Sequence, residues 1–98
     1  MDTIQRLMKE IKADREVQNC RYFTSNFLNN VADVFEKHGF GVTKVFLIEK
    51  KVRRELKWQA TALLSVLNIL DGSEEVKQKR SIGRCIIKAL ETIKSKEV

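Results

Sequence analysis

The sequence predicts an all-α protein, built as a small antiparallel helical bundle, and three observations lead to this prediction. Apolar residues recur at helical spacing in several segments of the chain. Residues 1–38 and 43–70 contain neither glycine nor proline, so no helix-breaking residue interrupts them. Residues 42–48 are rich in β-formers, but no second segment could pair with them, and an isolated strand is not stable. The 98 residues suffice for one unit, and we expect a single helical domain over residues 1–98.

The N-terminal segment is expected to begin as a helix at Asp2, a capping residue with Gln5 at the matching third position. Its core stripe consists of Ile4, Leu7, Met8 and Ile11. The apolar pattern slips after Ile11, so residues 2–38 form either one kinked helix or two helices that meet around Asn19. We favour two helices because asparagine is a good N-cap residue. The bundle then has four helices, or three if the first two are continuous.

The next helix carries most of the aromatic residues of the chain on one stripe. Its members are Tyr22, Phe23, Phe27, Leu28, Val31, Val34 and Phe35. Because this is the spacing of a core-facing helix, we expect the stripe to be core and not a base-stacking platform. The helix is expected to end at Gly39, which suits the left-handed position just past a helix end. Phe40 and Gly41 then form the connection to the following helix.

The rest of the chain is organised around a long central helix over about residues 43–70. This helix would span roughly 42 Å at 1.5 Å per residue. One face is apolar apart from Gln59 and consists of Val45, Ile48, Val52, Leu56, Gln59, Leu63, Val66, Leu67 and Leu70. The opposite face is basic, with Trp58 at its edge beside Arg54. We therefore expect the helix to pack on the core with one side and to present positive charge on the other.

The last helix follows a turn at residues 71–73, where Gly72 is expected to cap the central helix and Ser73 the next one. Its apolar face consists of Val76, Ile82, Ile86, Ala89, Leu90 and Ile93. Gly83 lies near this face and is expected to allow close approach of a neighbouring helix. If the central and last helices form an antiparallel hairpin about Gly72, their basic residues follow one another along one strip.

Catalytic chemistry is not expected from this sequence. The one histidine, His38, lies at a predicted helix end, and no metal-ligand spacing or phosphate-binding loop occurs. We therefore predict a non-enzymatic protein with no catalytic residue, no metal and no cofactor. Cys20 and Cys85 are expected to be buried free thiols, which favours an intracellular, cytoplasmic location. No apolar run approaches the roughly 20 residues of a membrane span.

The net charge of +6 points to an anionic partner, because residues 1–49 are neutral and residues 50–98 carry all of it. A strip of basic side chains suits nucleic-acid phosphates. We predict binding of RNA or DNA by charge and shape, because no motif of a sequence-specific binding class is present. The predicted site consists of Lys50, Lys51, Arg54, Lys57, Trp58, Lys77, Arg80, Arg84 and Lys88. Trp58 either stacks on a base or packs against another helix.

A second hypothesis is a helical protein–protein interaction module, a regulator or inhibitor that docks its basic face on an acidic protein surface. Tryptophan and arginine are frequent anchors of such interfaces, so the same residues fit both hypotheses. A homodimer is also expected, because a chain this short buries only about 60–65% of its unfolded surface and gains core by pairing. The sequence leaves open whether the partner is RNA, DNA or protein.

Overall fold

The computed structural model describes residues 2–95, and it shows a small bundle of six α-helices there. Their bounds are α1 Thr3–Ala13, α2 Arg15–Asn19, α3 Ser25–Val52, α4 Lys57–Asp71, α5 Glu74–Gln78 and α6 Arg80–Ser95. None of these described residues is in a β-strand, and the predicted all-α fold class is confirmed. The helices are more numerous than the predicted three or four, because the predicted helices contain breaks that the apolar pattern does not reveal.

The N-terminal segment contains two helices before α3, and an aspartate caps each of them. The Asp2 carboxylate accepts a hydrogen bond from the Gln5 N–H at 2.9 Å, which confirms the predicted start of α1. Asp14 ends α1 in an extended conformation, and its carboxylate accepts from the Val17 N–H at 3.0 Å at the start of α2. A break does follow Asn19, where α2 ends, but the break at Asp14 was not predicted. Aspartate caps helices as well as asparagine does, which explains the earlier boundary.

Helix α3 folds back on itself at Gly39, which has φ 83° and ψ −169° within an otherwise helical segment. The Phe27 and Phe46 rings stack with their centroids 6.3 Å apart. In a straight helix, the rise of 1.5 Å per residue would separate these two positions by about 28 Å. Residues 25–38 and 40–52 are therefore the two arms of an antiparallel helical hairpin.

The turn of this hairpin is a single residue. The predicted helix end at Gly39 is confirmed in position, and its positive φ is the conformation that favours glycine. The predicted connection over Phe40 and Gly41 is wrong, because both residues are already helical. The Thr43 hydroxyl donates to the Gly39 carbonyl at 2.7 Å and closes the first turn of the second arm.

The predicted continuous central helix over residues 43–70 is wrong, because a turn at residues 53–56 divides it. Arg54 (φ 61°) and Leu56 (φ 50°) take left-handed conformations in this turn. Like charges four residues apart, such as Lys50 and Arg54, disfavour a helix at this point. The second part of the predicted helix is α4, which begins directly after the turn.

The break also changes which side of the chain is buried. The α4 part of the predicted apolar face is buried as expected, at Gln59, Leu63, Val66, Leu67 and Leu70. The other members of that face, Val45, Ile48, Val52 and Leu56, are exposed. The buried side of the second α3 arm carries Thr43 and Leu47 instead. The apolar residues of a helix stay on one face only while the helix is continuous. Because the turn at residues 53–56 interrupts it, the predicted face is wrong for the four residues that precede α4.

The C-terminal part has the predicted caps and one unpredicted break. Gly72 caps α4, and the Ser73 hydroxyl accepts from the Val76 N–H at 3.3 Å at the start of α5. Lys79, with φ −128° and ψ 81°, then separates α5 from α6. The predicted single last helix is therefore wrong near its beginning and holds from Arg80 onward.

One hydrophobic core runs through the bundle, and α3 packs most extensively against α6 and α4. The predicted aromatic stripe is buried at Phe23 and Phe35, but Tyr22 is exposed, because it lies in the extended loop before α3. Cys20 is buried, whereas Cys85 is exposed on α6, so the prediction of two buried thiols is wrong for Cys85.

Gly83 brings α6 close to the first arm of α3. A Cβ atom at this position would lie 2.3 Å from the Phe35 ring and 3.1 Å from the Val76 side chain. The predicted close approach of a neighbouring helix at Gly83 is confirmed, because no larger side chain fits between these groups.

Candidate functional site

An open groove lies between the loop that follows α2 and the turn that precedes α4, and we name it the aromatic groove. Its volume is about 850 Å³. Its lining consists of Asn19, Cys20, Arg21, Tyr22, Arg54, Leu56, Lys57, Trp58 and Gln59. Residues 19–22 and 54–59, which are far apart in the sequence, therefore meet at one place on the surface.

Hydrogen bonds from Gln59 hold the two walls of the groove together. Its side-chain Oε1 accepts from the Thr24 N–H at 2.8 Å, and its Nε2 donates to the Thr24 Oγ1 at 3.0 Å. Gln59 is only 4% exposed, so water does not compete for these bonds. The polar residue that interrupts the apolar face of α4 thus satisfies a backbone donor at the start of α3.

The loop wall is fixed by Cys20, whose thiol donates to the Tyr22 carbonyl at 3.1 Å. Burial raises the pKa of the Cys20 thiol above its usual value. The group therefore stays a neutral thiol at neutral pH, and this is the opposite of the activation that a nucleophilic cysteine requires. In this groove Cys20 has a structural role.

The exposed side chains of the groove combine aromatic rings with positive charge. Tyr22 and Trp58 are each 62% exposed. The Lys57 ammonium lies 5.6 Å from the centre of the Trp58 ring, within the range of a cation–π contact. Arg21 and Arg54 add two further cations, and none of the lining residues in the described chain is acidic. The groove is therefore suited to a ligand that carries both negative charge and flat apolar surface.

The three cations of the groove are available to a ligand. Across residues 2–95, the ion pairs involve other basic residues and leave out Arg21, Arg54 and Lys57. Of the predicted site residues, Arg54, Lys57 and Trp58 are the three that the structure brings together here. Leu56 adds a partly exposed apolar side chain beside them.

The other predicted residues of the second α3 arm lie apart from the groove lining. The Lys50 ammonium pairs with the Glu55 carboxylate at 3.3 Å and lies 5.6 Å from the centre of the Phe46 ring. Lys51 is exposed on the same arm. Lys50 therefore has its charge compensated within the chain, whereas Lys51 faces solvent.

The predicted basic residue Arg84 lies in an ion-pair cluster with two carboxylates. Its guanidinium donates to the Asp33 carboxylate and to the Glu36 carboxylate, the latter at 3.1 Å. The hydrogen bond from Arg84 lowers the pKa of Asp33, and the same bond raises the pKa of Arg84. The cluster joins α6 to the first arm of α3, so the charge of Arg84 is neutralised within the fold.

The remaining predicted basic residues are not among those that line the groove. The Lys77 ammonium lies 3.8 Å from the Asp71 carboxylate and 3.9 Å from the Glu74 carboxylate. The Arg80 guanidinium lies against the Gly39 turn, where one of its nitrogens is 2.9 Å from the position that a Cβ of residue 39 would occupy. Lys88 is exposed. The expected pairing of the central and last helices about Gly72 is not the main contact of α6, which packs chiefly on α3.

Sequence reasoning missed Arg21 and Tyr22. The sequence pattern places Tyr22 in the apolar stripe with the other aromatic residues, and Arg21 belongs to the half of the chain whose charges balance. The signal that could have found them is the turn expected around Asn19, because residues that follow a turn can lie in a loop, and binding residues are frequent on loops.

No helix within the described residues is both long and apolar enough to cross a membrane. Over the same part of the chain, no group of three or more histidine, cysteine or acidic side chains is placed to hold a metal ion. Comparisons with protein-family models, with curated proteins and with solved structures find no match to this chain. The chemistry of its own surface is therefore the basis for a functional proposal.

Proposed function

We propose that this protein is a non-enzymatic nucleic-acid-binding protein that holds a single strand in the aromatic groove without sequence-specific readout. The observation that carries the proposal is the meeting of two exposed rings, Tyr22 and Trp58, with three unpaired cations, Arg21, Arg54 and Lys57, among the described residues. Proteins that bind single strands combine cations for the phosphates with rings on which bases stack.

A single strand fits the groove better than a duplex does. Bases can stack on Tyr22 and Trp58 only when they are unpaired, because the faces of paired bases are covered by their neighbours in the helix. The longer basic strip that a duplex would contact is weakened, since Arg84 and Lys77 are engaged with carboxylates of the chain. The groove cations can neutralise two or three phosphates of a strand.

The absence of sequence-specific readout follows from the groove side chains. A ring accepts any base, because every base has a π-face. The side-chain amide of Gln59 could read a base edge, but its oxygen and nitrogen already bond to Thr24. We therefore expect similar affinity for oligothymidine and oligodeoxycytidine of equal length.

Trp58 makes the proposal directly testable, because it is the one tryptophan of the chain. Stacking of a base on its exposed ring should quench the intrinsic fluorescence on titration with oligothymidine at low salt. Replacing one stacking residue removes about 1–3 kcal/mol, so Trp58→Ala should weaken binding roughly 5- to 150-fold in fluorescence anisotropy. Tyr22→Phe keeps the ring and should bind like the wild type, whereas Tyr22→Ala should not.

Charge-reversal variants distinguish binding in the aromatic groove from binding to the overall positive charge of the protein. Arg54→Glu should weaken binding strongly, and the slope of log K against log salt should become shallower by about one unit per lost phosphate contact. Lys9→Glu makes the same charge change at an exposed position on α1 and should have little effect. The proposal is wrong if no strand binds at low salt, or if Trp58→Ala and Lys9→Glu weaken binding equally.

The second candidate is a protein–protein interaction module that receives an acidic segment of a partner in the same groove. The exposed Leu56 favours this alternative, because an apolar side chain next to Trp58 and Arg54 resembles the anchors of protein interfaces. A competition titration distinguishes the two functions. The peptide concentration that displaces half of the bound strand gives the peptide's affinity, and an acidic peptide with aromatic residues that binds more tightly than the strand favours the interaction module.

A homodimer and an intracellular, cytoplasmic location are also part of the proposal. Cys20 and Cys85 are both free thiols, which is compatible with a reducing compartment.

A further inference from the structure

The second arm of the α3 hairpin exposes a row of apolar side chains to solvent. The exposed fractions are 50% for Val42, 66% for Val45, 50% for Ile48 and 74% for Val52. This arm faces the core with its other side, through Thr43 and Leu47. Contiguous exposed apolar patches mark interaction sites in soluble proteins. The patch lies on an ordered helix, so a partner helix could pack against it without rearrangement of the fold.

Val45, Ile48 and Val52 of this row have the spacing of a coiled-coil seam, which Gly41 extends toward the start of the arm, and Val42 lies on its edge at an e position. Gly41, Val45, Ile48 and Val52 are separated by four, three and four residues, which are the d, a, d and a positions of a heptad. We name these four residues the heptad face. A Cβ atom at Gly41 would have no heavy atom within 4 Å, so this end of the face is also open.

Charged residues flank the heptad face in the pattern of a parallel pair. Lys44 and Lys51 occupy the g positions on one edge, and Glu49 occupies an e position on the other. In a parallel pair, the g residue of one helix faces the e residue of the following heptad in the other helix, so Lys44 faces Glu49 of the second copy. In an antiparallel pair the lysine edges would face each other and repel.

We propose that the heptad face binds a second copy of this chain, with the two α3 arms packed in parallel around a two-fold axis. The pattern is self-complementary, because one symmetric pairing places Lys44 opposite Glu49 twice. In one copy, the Glu49 carboxylate pairs with Arg53 at 3.2 Å, and both side chains are more than half exposed. Such a surface pair contributes little and can rearrange.

The size of the face sets the expected affinity. Residues 41–52 extend over about 18 Å, or about three helical turns. A helix of this length buries less surface than the roughly 800 Å² per partner of a standard interface. We therefore expect a weak dimer with a dissociation constant of about 10 µM or higher. The heptad face and the aromatic groove consist of different residues, so this inference does not depend on the proposed nucleic-acid function.

Sedimentation velocity of the wild-type protein between about 5 µM and about 1 mM tests the dimer. The sedimentation coefficient should rise with concentration. Val45→Glu changes an exposed helical position, so it should keep the circular dichroism spectrum of the wild type and should remain monomeric over the whole range. Trp58→Ala removes an equally exposed apolar side chain outside the heptad face and should dimerise like the wild type. A wild-type chain that stays monomeric at the highest concentration overturns the proposal.

Charge exchange tests the pairing itself. Lys44→Glu and Glu49→Lys, each alone, place like charges opposite each other and should weaken self-association at least tenfold. An equimolar mixture of the two variants should form heterodimers, and the doubly substituted chain should regain self-association. Equal behaviour of the mixture and of the single variants would contradict pairing of Lys44 with Glu49.

Orientation is tested by cross-linking at Val52 in a chain that also carries Cys85→Ser. Two residues at position 52 face each other in the parallel pair, so Val52→Cys should give a disulfide-linked dimer under mild oxidation. In an antiparallel pair these positions would be roughly 16 Å apart, beyond the reach of a disulfide. Asn68→Cys, at an exposed position on α4, is the matched control and should not cross-link. A chain that dimerises without cross-linking at position 52 rules out the parallel arrangement.

Discussion

The α3 hairpin is expected to depend on Gly39, and alanine substitutions at Gly39 and Gly41 isolate this dependence. At φ 83° and ψ −169°, Gly39 occupies a region that is essentially restricted to glycine. A side chain there carries a strain of about 3 kcal/mol, the upper end of the usual range. The Arg80 guanidinium, 2.9 Å from the position of the added Cβ, is the end of a flexible side chain and can move aside at little cost.

The substitution also acts on the unfolded chain, where its effect on the free energy of unfolding has the opposite sign. Replacing glycine by alanine reduces the freedom of the unfolded state and stabilises a compatible site by about 0.4–1 kcal/mol. Gly39→Ala should therefore lower the free energy of unfolding by about 2 kcal/mol. Gly41 is helical, and no heavy atom lies within 4 Å of its Cβ position. Gly41→Ala should therefore raise the free energy of unfolding by about 0.5 kcal/mol.

The difference between the two variants is the quantity to measure. The unfolded-state contribution is nearly the same in both and cancels, so a difference of roughly 2–3 kcal/mol reports the strain at Gly39. Urea unfolding followed by circular dichroism measures it, and thermal midpoints should differ by roughly 10 °C or more. If the two variants agree within about 1 kcal/mol, the single-residue turn at Gly39 is wrong.

Two further predictions concern contacts of α6. Gly83→Ala should lower the free energy of unfolding by about 1–3 kcal/mol in urea titrations, because the new methyl group overlaps the Phe35 ring; an unchanged midpoint would show that the helices separate freely. Because the hydrogen bond from Arg84 lowers the pKa of Asp33 in the folded protein, the ionised carboxylate stabilises the fold. This stabilisation is fully present above the usual carboxyl pKa and is lost as the pH falls through the lower pKa of the folded state. Arg84→Gln should therefore destabilise the protein at pH 7 but have less effect near pH 3, and an equal effect at both pH values would rule out the pairing.

Features that depend on a few neighbouring residues could be predicted from the sequence. Asp2 and Ser73 begin helices because their side chains accept from backbone N–H groups three residues later. Gly39 ends the first arm of α3 for an equally local reason, because a residue without a Cβ readily takes its positive φ. The all-α class follows from apolar periodicity, which needs no knowledge of the partner elements.

The turn at residues 53–56 could not be predicted by the same means. Val45, Ile48 and Val52 continue the apolar phase of Leu63 across that turn, so the pattern alone favours one helix. The fold-back at Gly39 brings Phe27 against Phe46, and this long-range contact decides which side of the second arm is buried. Periodicity shows that a segment is amphipathic, but it does not show where the chain changes direction.

The candidate site was predictable only in part, for a related reason. Arg54, Lys57 and Trp58 are close in the sequence and could be identified as one basic and aromatic cluster. Tyr22 joins them because Gln59 bonds to Thr24, 35 residues away, and no local pattern indicates that bond.

Long-range pairing also neutralises one of the predicted basic residues. The charge of Arg84 is neutralised by Asp33 and Glu36 on another helix. Each of these residues looks like an ordinary exposed charge when the sequence is read alone. Net charge therefore predicted an anionic partner, but it could not show which cations are free to bind one.

The turn at residues 53–56 links the two proposed surfaces. Left-handed conformations at Arg54 and Leu56 are costly for side-chain-bearing residues, and such strain persists where the surrounding structure requires it. In an uninterrupted helix, Val52 and Leu56 would lie on one face, four residues apart. The turn instead ends the heptad face at Val52 and directs Leu56 into the aromatic groove.

The proposed parallel dimer would bring the two grooves of the pair to the same end of the assembly. Both second arms of α3 point in one direction around the two-fold axis, so both turns that follow them lie at that end. A strand of nucleic acid long enough to reach both grooves would then bind a dimer more tightly than one groove alone allows. Weak self-association and weak binding in a small groove would reinforce each other, because each raises the effective concentration for the other.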